Sequence, residues 1–418
     1  MTRARRPTRS APVSPRLSQR TAHLREASLL RALTARINAL PDGINLGQGV
    51  CDLDPPAVLR RAAVRAIREE RATYTHWSGL ENLRVAIVER MRRRYAVTYA
   101  PDEVVVTIGA SAALFSTFMA LLDPGDEVVL FEPFYPYHYT GARLAGAKVV
   151  TIATRPDGAV DWRALARAVN PRTRIVIVNT PSNPLGKVWA ADELDRLARL
   201  LAGSEAVVVT DEIYEDLVYD GRRHLPPAGH PELHPRTVTV SGLSKSFAIT
   251  GWRLGWLAAP RALADAIGPV FDVLCACAPA PLQRAAAAAL RELPESYYTE
   301  MRDAYAHRRG VLLDALRGAG FRPHTPGGAY YVLADYTERY GAMPSRDACF
   351  RLLDELHLAA IPGELFYSDD APPVLRFQFA VEDRVIDEVA ARLRSGLRRS
   401  PPRRRSRAGR AAPRGRGS

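Results

Sequence analysis

The stretch Ser241-Gly-Leu-Ser-Lys245-Ser-Phe-Ala-Ile-Thr-Gly-Trp-Arg253-Leu-Gly-Trp256 decides how the rest of the 418-residue chain is interpreted. It places one lysine among small and hydroxylated residues, with an arginine eight positions further on. A lysine amine can form a Schiff base with an aldehyde, and a guanidinium binds phosphate oxygens. The pair therefore favours an aldehyde cofactor that carries a phosphate, namely pyridoxal 5'-phosphate. Taken alone, the same residues are equally typical of a solvated loop lysine and a surface arginine.

The net charge of +13 is confined to the two ends of the chain. Residues 1–20 contain six arginines and residues 398–418 contain nine, and neither segment contains an acidic residue. Between them, 43 Lys and Arg residues face 45 Asp and Glu residues. Both ends are rich in Arg, Pro, Ser and Ala, so we expect disordered basic tails, the first of which is also compatible with a transit peptide. The nearly neutral body gives no reason to expect a specific nucleic-acid partner.

Several other classes of protein are excluded by composition. No apolar run approaches the ~20 residues that a membrane helix needs, and no apolar segment near residue 10 suggests a secretory signal. The four cysteines do not form a disulfide framework in a chain of this length, and the spacing in Cys275-Ala-Cys277 is wrong for a zinc knuckle. These features predict a cytoplasmic protein that is large enough to be an enzyme.

Short apolar runs alternate with amphipathic helices from residue 104 onward, which is typical of an α/β domain with a mainly parallel sheet. The predicted strands are 104–108, 127–131, 148–152, 174–179, 206–211, 237–241 and 255–259. Helices are expected over 21–40, 56–70 and 80–95, with a long helix starting near 261. The later strands are 330–334, 359–361 and 374–379. We therefore predict an N-terminal arm over 21–60, a large domain over 61–300 and a smaller α+β domain over 301–397.

In such sheets ligands collect at the carboxyl ends of the strands. The first strand runs into Gly109-Ala110-Ser111 and then an apolar helix. Backbone N–H groups and a hydroxyl at a helix N-terminus suit a phosphate. An ordinary serine cap is the more common meaning of this pattern.

Four further polar or aromatic residues follow strands. Asp211 could be a helix cap, a metal ligand or a partner for a protonated ring nitrogen. No second carboxylate or histidine cluster indicates a metal site, so pairing with the ring nitrogen is favoured. Asn183, between two prolines, and the Tyr214 hydroxyl could donate to a phenolic oxygen. Tyr135 is equally typical of a core aromatic and of a ring that stacks on a cofactor.

Together these motifs resemble the fold-type I pyridoxal-phosphate enzymes, and among them the class I aminotransferases. The resemblance covers roughly residues 25–395. It rests on Gly109-Ala-Ser111, Asn183-Pro-Leu-Gly186, Asp211-Glu-Ile-Tyr214 and Ser244-Lys245 with Arg253. Further motifs resemble the branch that contains glutamine transaminase K, kynurenine aminotransferase and methionine aminotransferase. These are Asn45-Leu-Gly-Gln-Gly49, Asn179 to Val188, Ile361-Pro362, Phe366-Tyr-Ser368 and Leu375-Arg376-Phe377.

The resemblance implies a role for each matching position. Lys245 would carry the cofactor and move the substrate proton, and Asp211 would pair with the ring nitrogen. The phosphate would be bound by Gly109, Ala110, Ser111, Ser244 and Arg253, with Tyr74 reaching the site of a partner subunit in a homodimer. Arg376 would bind the substrate α-carboxylate as a planar fork, beside Gly49 and Asn183. No metal is expected.

Four positions depart from the family pattern. Cys51 stands where the family usually has proline, and Gly242 stands where it often has a phosphate-binding serine. Ser241 or Ser244 would then compensate, or one phosphate contact would be missing. Ala278-Pro279 replaces a Phe-His pair, which weakens any expectation of a large aromatic or glutamine substrate.

The function that follows is transfer of an amino group from an L-amino acid to a 2-oxo acid by a ping-pong mechanism. β-Elimination from cysteine conjugates, or action on an unusual amino acid in a biosynthetic pathway, is the alternative within the same chemistry. A regulator that senses the cofactor and binds DNA would need a helix-turn-helix domain, and neither tail is long or apolar enough to form one.

Overall fold

The computed structural model describes residues 18, 20, 27–51, 53–69, 72–155 and 157–395. The predicted tails therefore lie outside the described residues, apart from two positions. No helix within the described ranges has the length and apolar content to cross a membrane.

The secondary-structure elements are numbered in chain order. The helices are α1 (Ala27–Asn38), α2 (Ala57–Glu69), α3 (Glu81–Tyr95), α4 (Gly109–Leu121), α5 (Pro136–Leu144), α6 (Trp162–Ala168), α7 (Ala191–Leu201), α8 (Arg261–Cys275), α9 (Ala280–Glu292), α10 (Glu295–Gly318), α11 (Thr337–Tyr340), α12 (Ser345–Leu356) and α13 (Asp383–Ser395). The strands are β1 (Ile44–Asn45), β2 (Val104–Thr107), β3 (Glu127–Glu132), β4 (Lys148–Ala153), β5 (Thr173–Asn179), β6 (Val207–Asp211), β7 (Thr237–Gly242), β8 (Gly255–Ala258), β9 (Arg322–Pro323), β10 (Tyr331–Asp335), β11 (Leu358–Ala359), β12 (Ile361–Pro362) and β13 (Val374–Gln378).

A seven-stranded sheet in the order β2-β8-β7-β6-β5-β3-β4 forms the centre of the molecule. Strand β8 runs antiparallel to both of its neighbours, and all other pairs are parallel. The prediction of a mainly parallel sheet between helices is confirmed. Because parallel strands share a direction, the carboxyl ends of β5, β6 and β7 meet at one edge, where Asn179 is paired with Asp211 and Asp211 with Val240.

Both faces of this sheet are covered by helices, which explains its nearly continuous apolar strands. On one face, side chains such as Leu130 and Val209 pack with residues of α4, α5 and α8. On the other, Val129, Val176 and Val208 pack with residues of α6 and α7. The alternation of neighbouring residues between the two clusters is the period of two that strands impose.

A second sheet, antiparallel throughout, has the order β12-β13-β10-β9, and β1 pairs separately with β11. The predicted strand 359–361 is thus divided between two sheets, and the long helix expected from 261 ends at Cys275 and is followed by α9 and α10. The predicted domain boundaries at 60 and 300 fall inside α2 and α10. The domain division stays a prediction.

Candidate active site at the carboxyl edge of the sheet

Lys245 follows β7 in the turn that leads to β8. Its amine donates a hydrogen bond to the Gly49 carbonyl oxygen at 3.0 Å. The same nitrogen lies 5.5 Å from the ring centre of Tyr330 and 6.0 Å from that of Tyr214. The half-buried lysine is therefore placed between aromatic faces and the loop 45–51.

Asp211 ends β6 and is 4% exposed. Its Oδ2 lies 2.9 Å from Nε2 of His138, a buried residue of α5, and its Oδ1 accepts the Ile213 N–H at 3.3 Å. His138 was not predicted from the sequence. The only available signal was its position three residues, or about one helical turn, after Tyr135. The sequence does not show which face of this helix is turned towards the site.

Four tyrosines connect these groups. The Tyr214 and Tyr331 hydroxyl oxygens lie 3.0 Å apart, and the Tyr214 and Tyr330 rings meet edge to face at 5.1 Å. Tyr135 meets His138 edge to face at 5.3 Å. Burial raises the pKa of the Tyr135, Tyr214 and Tyr330 hydroxyls far above the neutral range, so these groups stay protonated and can donate hydrogen bonds.

Arg376 lies on β13 and is 7% exposed. Its Nη1 donates to Asn183 Oδ1 at 2.8 Å and its Nη2 to the Gly47 carbonyl at 2.5 Å. The guanidinium carbon lies 4.3 Å from the ring centre of Tyr331 and 5.0 Å from that of Phe366. None of the described carboxylates lies within ion-pair distance of it, and its Nε has no hydrogen-bond partner among the described residues. A buried cation with an unused donor fits an anionic ligand, because an unpaired buried charge is costly.

Helix α4 begins at Gly109, so the N–H groups of Gly109, Ala110 and Ser111 belong to its first turn, which has no partners within the helix. Gly109 has φ +72°, and a Cβ there would lie 2.6 Å from Nη2 of Arg253. The exposed Arg253 also donates from Nη1 to the Thr250 carbonyl at 3.0 Å. The structure thus brings together the helix start and the cation that the sequence predicts as phosphate ligands.

The remaining predicted residues occupy different surroundings. Ser244 is buried, whereas Tyr74 is 81% exposed in the single chain. The Ser241 hydroxyl lies 3.3 Å from Glu215 Oε1 and 3.4 Å from the Glu212 carbonyl oxygen, so it is engaged in another network. Of the two candidates to replace the serine missing at position 242, Ser244 is therefore preferred.

A buried polar cluster that was not predicted from the sequence begins at Glu212, the residue after Asp211. Ligand atoms of Glu212, Glu215 and His224 lie within 4.8 Å of one another. Glu212 bonds the Thr210 hydroxyl at 2.6 Å and His224 Nε2 at 2.8 Å, and Arg90 lies 3.4 Å from Glu215. Because Glu212 and Glu215 already have hydrogen-bond or ion-pair partners within the protein, we interpret the cluster as a hydrogen-bonded network. The absence of a metal stays a prediction.

A lysine and a carboxylate at the carboxyl edge of this sheet, together with a helix N-terminus beside Arg253 and the buried Arg376, are typical of a pyridoxal-phosphate enzyme of fold type I. The donor types fit the cofactor. The helix start and Arg253 suit its phosphate, the anionic Asp211 suits a protonated ring nitrogen, and the Tyr214 and Asn183 side chains suit its phenolic oxygen.

Comparison with known proteins gives the family. Residues 41–393 match the model for aminotransferases of class I and II, and the chain belongs to that family. It is 38% identical to a probable N-succinyldiaminopimelate aminotransferase of Mycobacterium tuberculosis over 378 residues, 87% of this chain and 94% of the relative. It is 34% identical to the methionine aminotransferase of Escherichia coli over 356 residues, 84% of this chain and 91% of the relative.

Solved structures agree with the sequence relatives. The Escherichia coli methionine aminotransferase superposes with a TM-score of 0.86 at 31% identity, over 92% of this chain and 100% of that one. The Mycobacterium tuberculosis N-succinyldiaminopimelate aminotransferase gives 0.85 at 36% identity, over 91% and 100%. The predicted family, cofactor and aminotransferase activity are confirmed. Aminotransferases act on amino acids and 2-oxo acids and are typically dimeric.

Proposed function

We propose that this enzyme moves the amino group of an L-α-amino acid to a 2-oxo acid in two half-reactions, with Lys245 as the lysine that bears the cofactor. One observation carries the proposal. Two carbonyl oxygens in the same short loop bond the two residues that must act on one substrate: Gly47 bonds Arg376 and Gly49 bonds Lys245. A carboxylate held by the arginine would therefore have its α-carbon close to the lysine amine.

The roles of the residues follow from their contacts. Pyridoxal phosphate supplies an electron-withdrawing ring that stabilises negative charge at the substrate α-carbon. Arg376 binds the α-carboxylate through two parallel donors, with Asn183 fixing the orientation of the guanidinium. Lys245 Nζ accepts the proton of the substrate α-carbon and then donates it to the carbon on the other side of the substrate nitrogen. Asp211, oriented by His138, supplies the negative charge that keeps a ring nitrogen protonated.

Water is kept from the reacting atoms by buried aromatic side chains. Tyr214, Tyr330 and Tyr331 are all at most 4% exposed and surround the lysine and the arginine on one side. Exclusion of water strengthens the electrostatic contacts of the carboxylate and limits exchange of the transferred proton. Tyr135, next to His138, is the proposed stacking partner of the ring.

The proposed active unit is a homodimer in which Tyr74 of one subunit reaches the phosphate of the other. The 81% exposure of this aromatic side chain in the single chain supports the proposal. Co-expression of Lys245→Ala and Tyr74→Phe chains tests it. Mixed dimers would contain one intact site and recover activity above either parent, and a lack of recovery would contradict a shared site.

A cytoplasmic location is also proposed. None of the four cysteines, all of which the structure describes, forms a disulfide, which is the expected state in a reducing compartment.

The assignment of Lys245 can be tested chemically because the chain contains only three lysines. Lys148 and Lys187 each bond a glutamate, at 3.4 and 2.6 Å. After reduction of the holoenzyme with borohydride, peptide mapping should find the pyridoxyl group on Lys245. Label on either of the others would refute the assignment.

Activity and cofactor binding should fail together in Lys245→Ala and survive in Lys187→Arg. A panel of amino acids with pyruvate and 2-oxoglutarate as acceptors then identifies the donor and acceptor through release of the 2-oxo acid. Release of pyruvate and ammonia without an acceptor would instead favour β-elimination.

A further inference from the structure

Tyr331 lies between the two halves of the site, and the roles given above do not use its hydroxyl. This oxygen is 3.0 Å from the Tyr214 hydroxyl, and the ring of Tyr331 lies beneath Arg376. Tyr331 is the first residue of β10 and is 3% exposed. A Cβ on Gly49 would come within 2.0 Å of the same hydroxyl oxygen, so the loop 45–51 confines it against Tyr214.

The direction of the hydrogen bond between the two tyrosines follows from their donors. A phenolic hydroxyl has one proton to donate. If Tyr214 donates its proton to the phenolic oxygen of the cofactor, the bond between the two tyrosines must be donated by Tyr331. A hydroxyl that accepts a hydrogen bond becomes a stronger donor in turn, because the two bonds polarise each other. Tyr331 would therefore strengthen the contact of Tyr214 with the cofactor.

A hydrogen-bond donor to the phenolic oxygen of the cofactor changes the proton affinity of the neighbouring Lys245 nitrogen. Negative charge on this oxygen favours a proton on the nitrogen, and the donor withdraws part of that charge. We propose that Tyr331 is a positioning residue that acts through Tyr214 to lower the proton affinity of the Lys245 nitrogen when the cofactor is bound. The inference rests on the proposed function.

Other groups at this point act independently of the Tyr331 hydroxyl. Tyr214 is also faced by the Tyr135 and Tyr330 side chains and by the Lys245 amine, and the Tyr331 ring is faced by the Arg376 guanidinium. Replacing Tyr331 by phenylalanine keeps all of these groups and keeps an aromatic ring under the arginine. Such a variant removes only the hydroxyl.

The test follows the visible absorbance of the purified holoenzyme against pH in four proteins. Tyr331→Phe should raise the pH midpoint of the absorbance change by about 0.5 unit. Tyr214→Phe should raise it further, because it removes the direct donor. Tyr219→Phe is the matched control. It removes a buried hydroxyl that bonds the Ala329 carbonyl at 2.7 Å, close to the start of the same strand, and should leave the midpoint unchanged.

A second variant separates this role from simple packing. Tyr331→3-fluorotyrosine keeps the ring and the hydrogen bond but makes the hydroxyl a stronger donor, so the midpoint should fall below that of the wild type. The inference is overturned if Tyr331→Phe leaves the midpoint unchanged or lowers it, or if the fluorinated variant raises it. Wild-type protein that shows no pH-dependent visible band, or no label on Lys245 after reduction, would instead contradict the proposed function.

Discussion

Arg90, a fully buried arginine of α3, provides a quantitative test of how the site is held. Its Nη2 lies 2.8 and 2.7 Å from the two carboxylate oxygens of Asp216 and 3.4 Å from Glu215, and its guanidinium faces the Tyr298 ring at 5.1 Å. Both carboxylates follow directly on the segment that carries Asp211. Arg90→Met keeps much of the side-chain volume but leaves these carboxylates without their principal cation.

Removing one partner of a buried ion pair costs about 3–5 kcal/mol, because the remaining charge is left unpaired. Arg94 still bonds Asp216 at 3.1 Å, so we expect the lower end of this range, about 3 kcal/mol. The measurement is urea unfolding at pH 7, followed by tryptophan fluorescence. Arg93→Met, at an exposed neighbouring position on the same helix, is the control and should stay within about 0.5 kcal/mol of the wild type.

The loss of unfolding free energy in Arg90→Met should also depend on pH. Burial opposes ionisation of Asp216, but the charges of Arg90 and Arg94 outweigh it and lower the pKa of this carboxyl below its usual value. Because its pKa is lower in the folded state, Asp216 stabilises the protein at pH values above its unfolded-state pKa of about 3.9. This contribution is lost as the pH falls through the pKa of the folded state. The difference between Arg90→Met and the wild type should therefore be largest at pH 7 and smaller below about pH 4.

Three other substitutions test individual contacts. Arg376→Lys removes the planar fork, and loss of a charge-assisted hydrogen bond should lower kcat/KM by about 10- to 150-fold without reducing the cofactor content of the purified enzyme. His138→Leu leaves a buried carboxylate without its side-chain partner, so the apo form should lose about 1–3 kcal/mol in urea unfolding and the holo form less. Gly49→Ala forces a methyl group against the Tyr331 hydroxyl and should cost about 1–3 kcal/mol, whereas Gly203→Ala, with open space around it, should be neutral. An unchanged kcat/KM in Arg376→Lys would refute the role of the planar fork. Equal losses in the apo and holo forms of His138→Leu would refute the link between His138 and the cofactor site. A neutral Gly49→Ala would refute the close contact with the Tyr331 hydroxyl.

Site residues could be predicted from the sequence where the residue type and the local structure indicate the same role. Asp211 ends a short apolar run that is typical of a buried strand, and Gly109 begins a helix directly after another such run. In sheets of this type ligands collect at the carboxyl ends of the strands. Lys245 was singled out by its small and hydroxylated neighbours and by the arginine eight positions further on. Each of these features is ambiguous alone, and only their order and combination along the chain supported the prediction.

The contacts that were missed depend on tertiary packing. Arg90 belongs to the run Glu89-Arg-Met-Arg-Arg-Arg94, which is typical of a solvated basic helix face, yet it is 2% exposed because the helix packs that residue against the carboxylates after β6. His138 and Tyr331 are similar cases. Nothing local distinguishes them from an ordinary helix histidine or a core tyrosine. Their partners lie 73 and 117 residues away in the sequence.

The loop 45–51 connects the residue proposed to bind the substrate carboxylate with the residue proposed to carry out the chemistry. The Gly47 carbonyl occupies an Arg376 donor that a substrate carboxylate would use, and the Gly49 carbonyl accepts from both Lys245 and Tyr330. A carboxylate makes stronger hydrogen bonds to a guanidinium than a neutral carbonyl does, so a bound substrate would displace the loop from the arginine. Because only one residue separates the two glycines, the contact with the lysine would change at the same time.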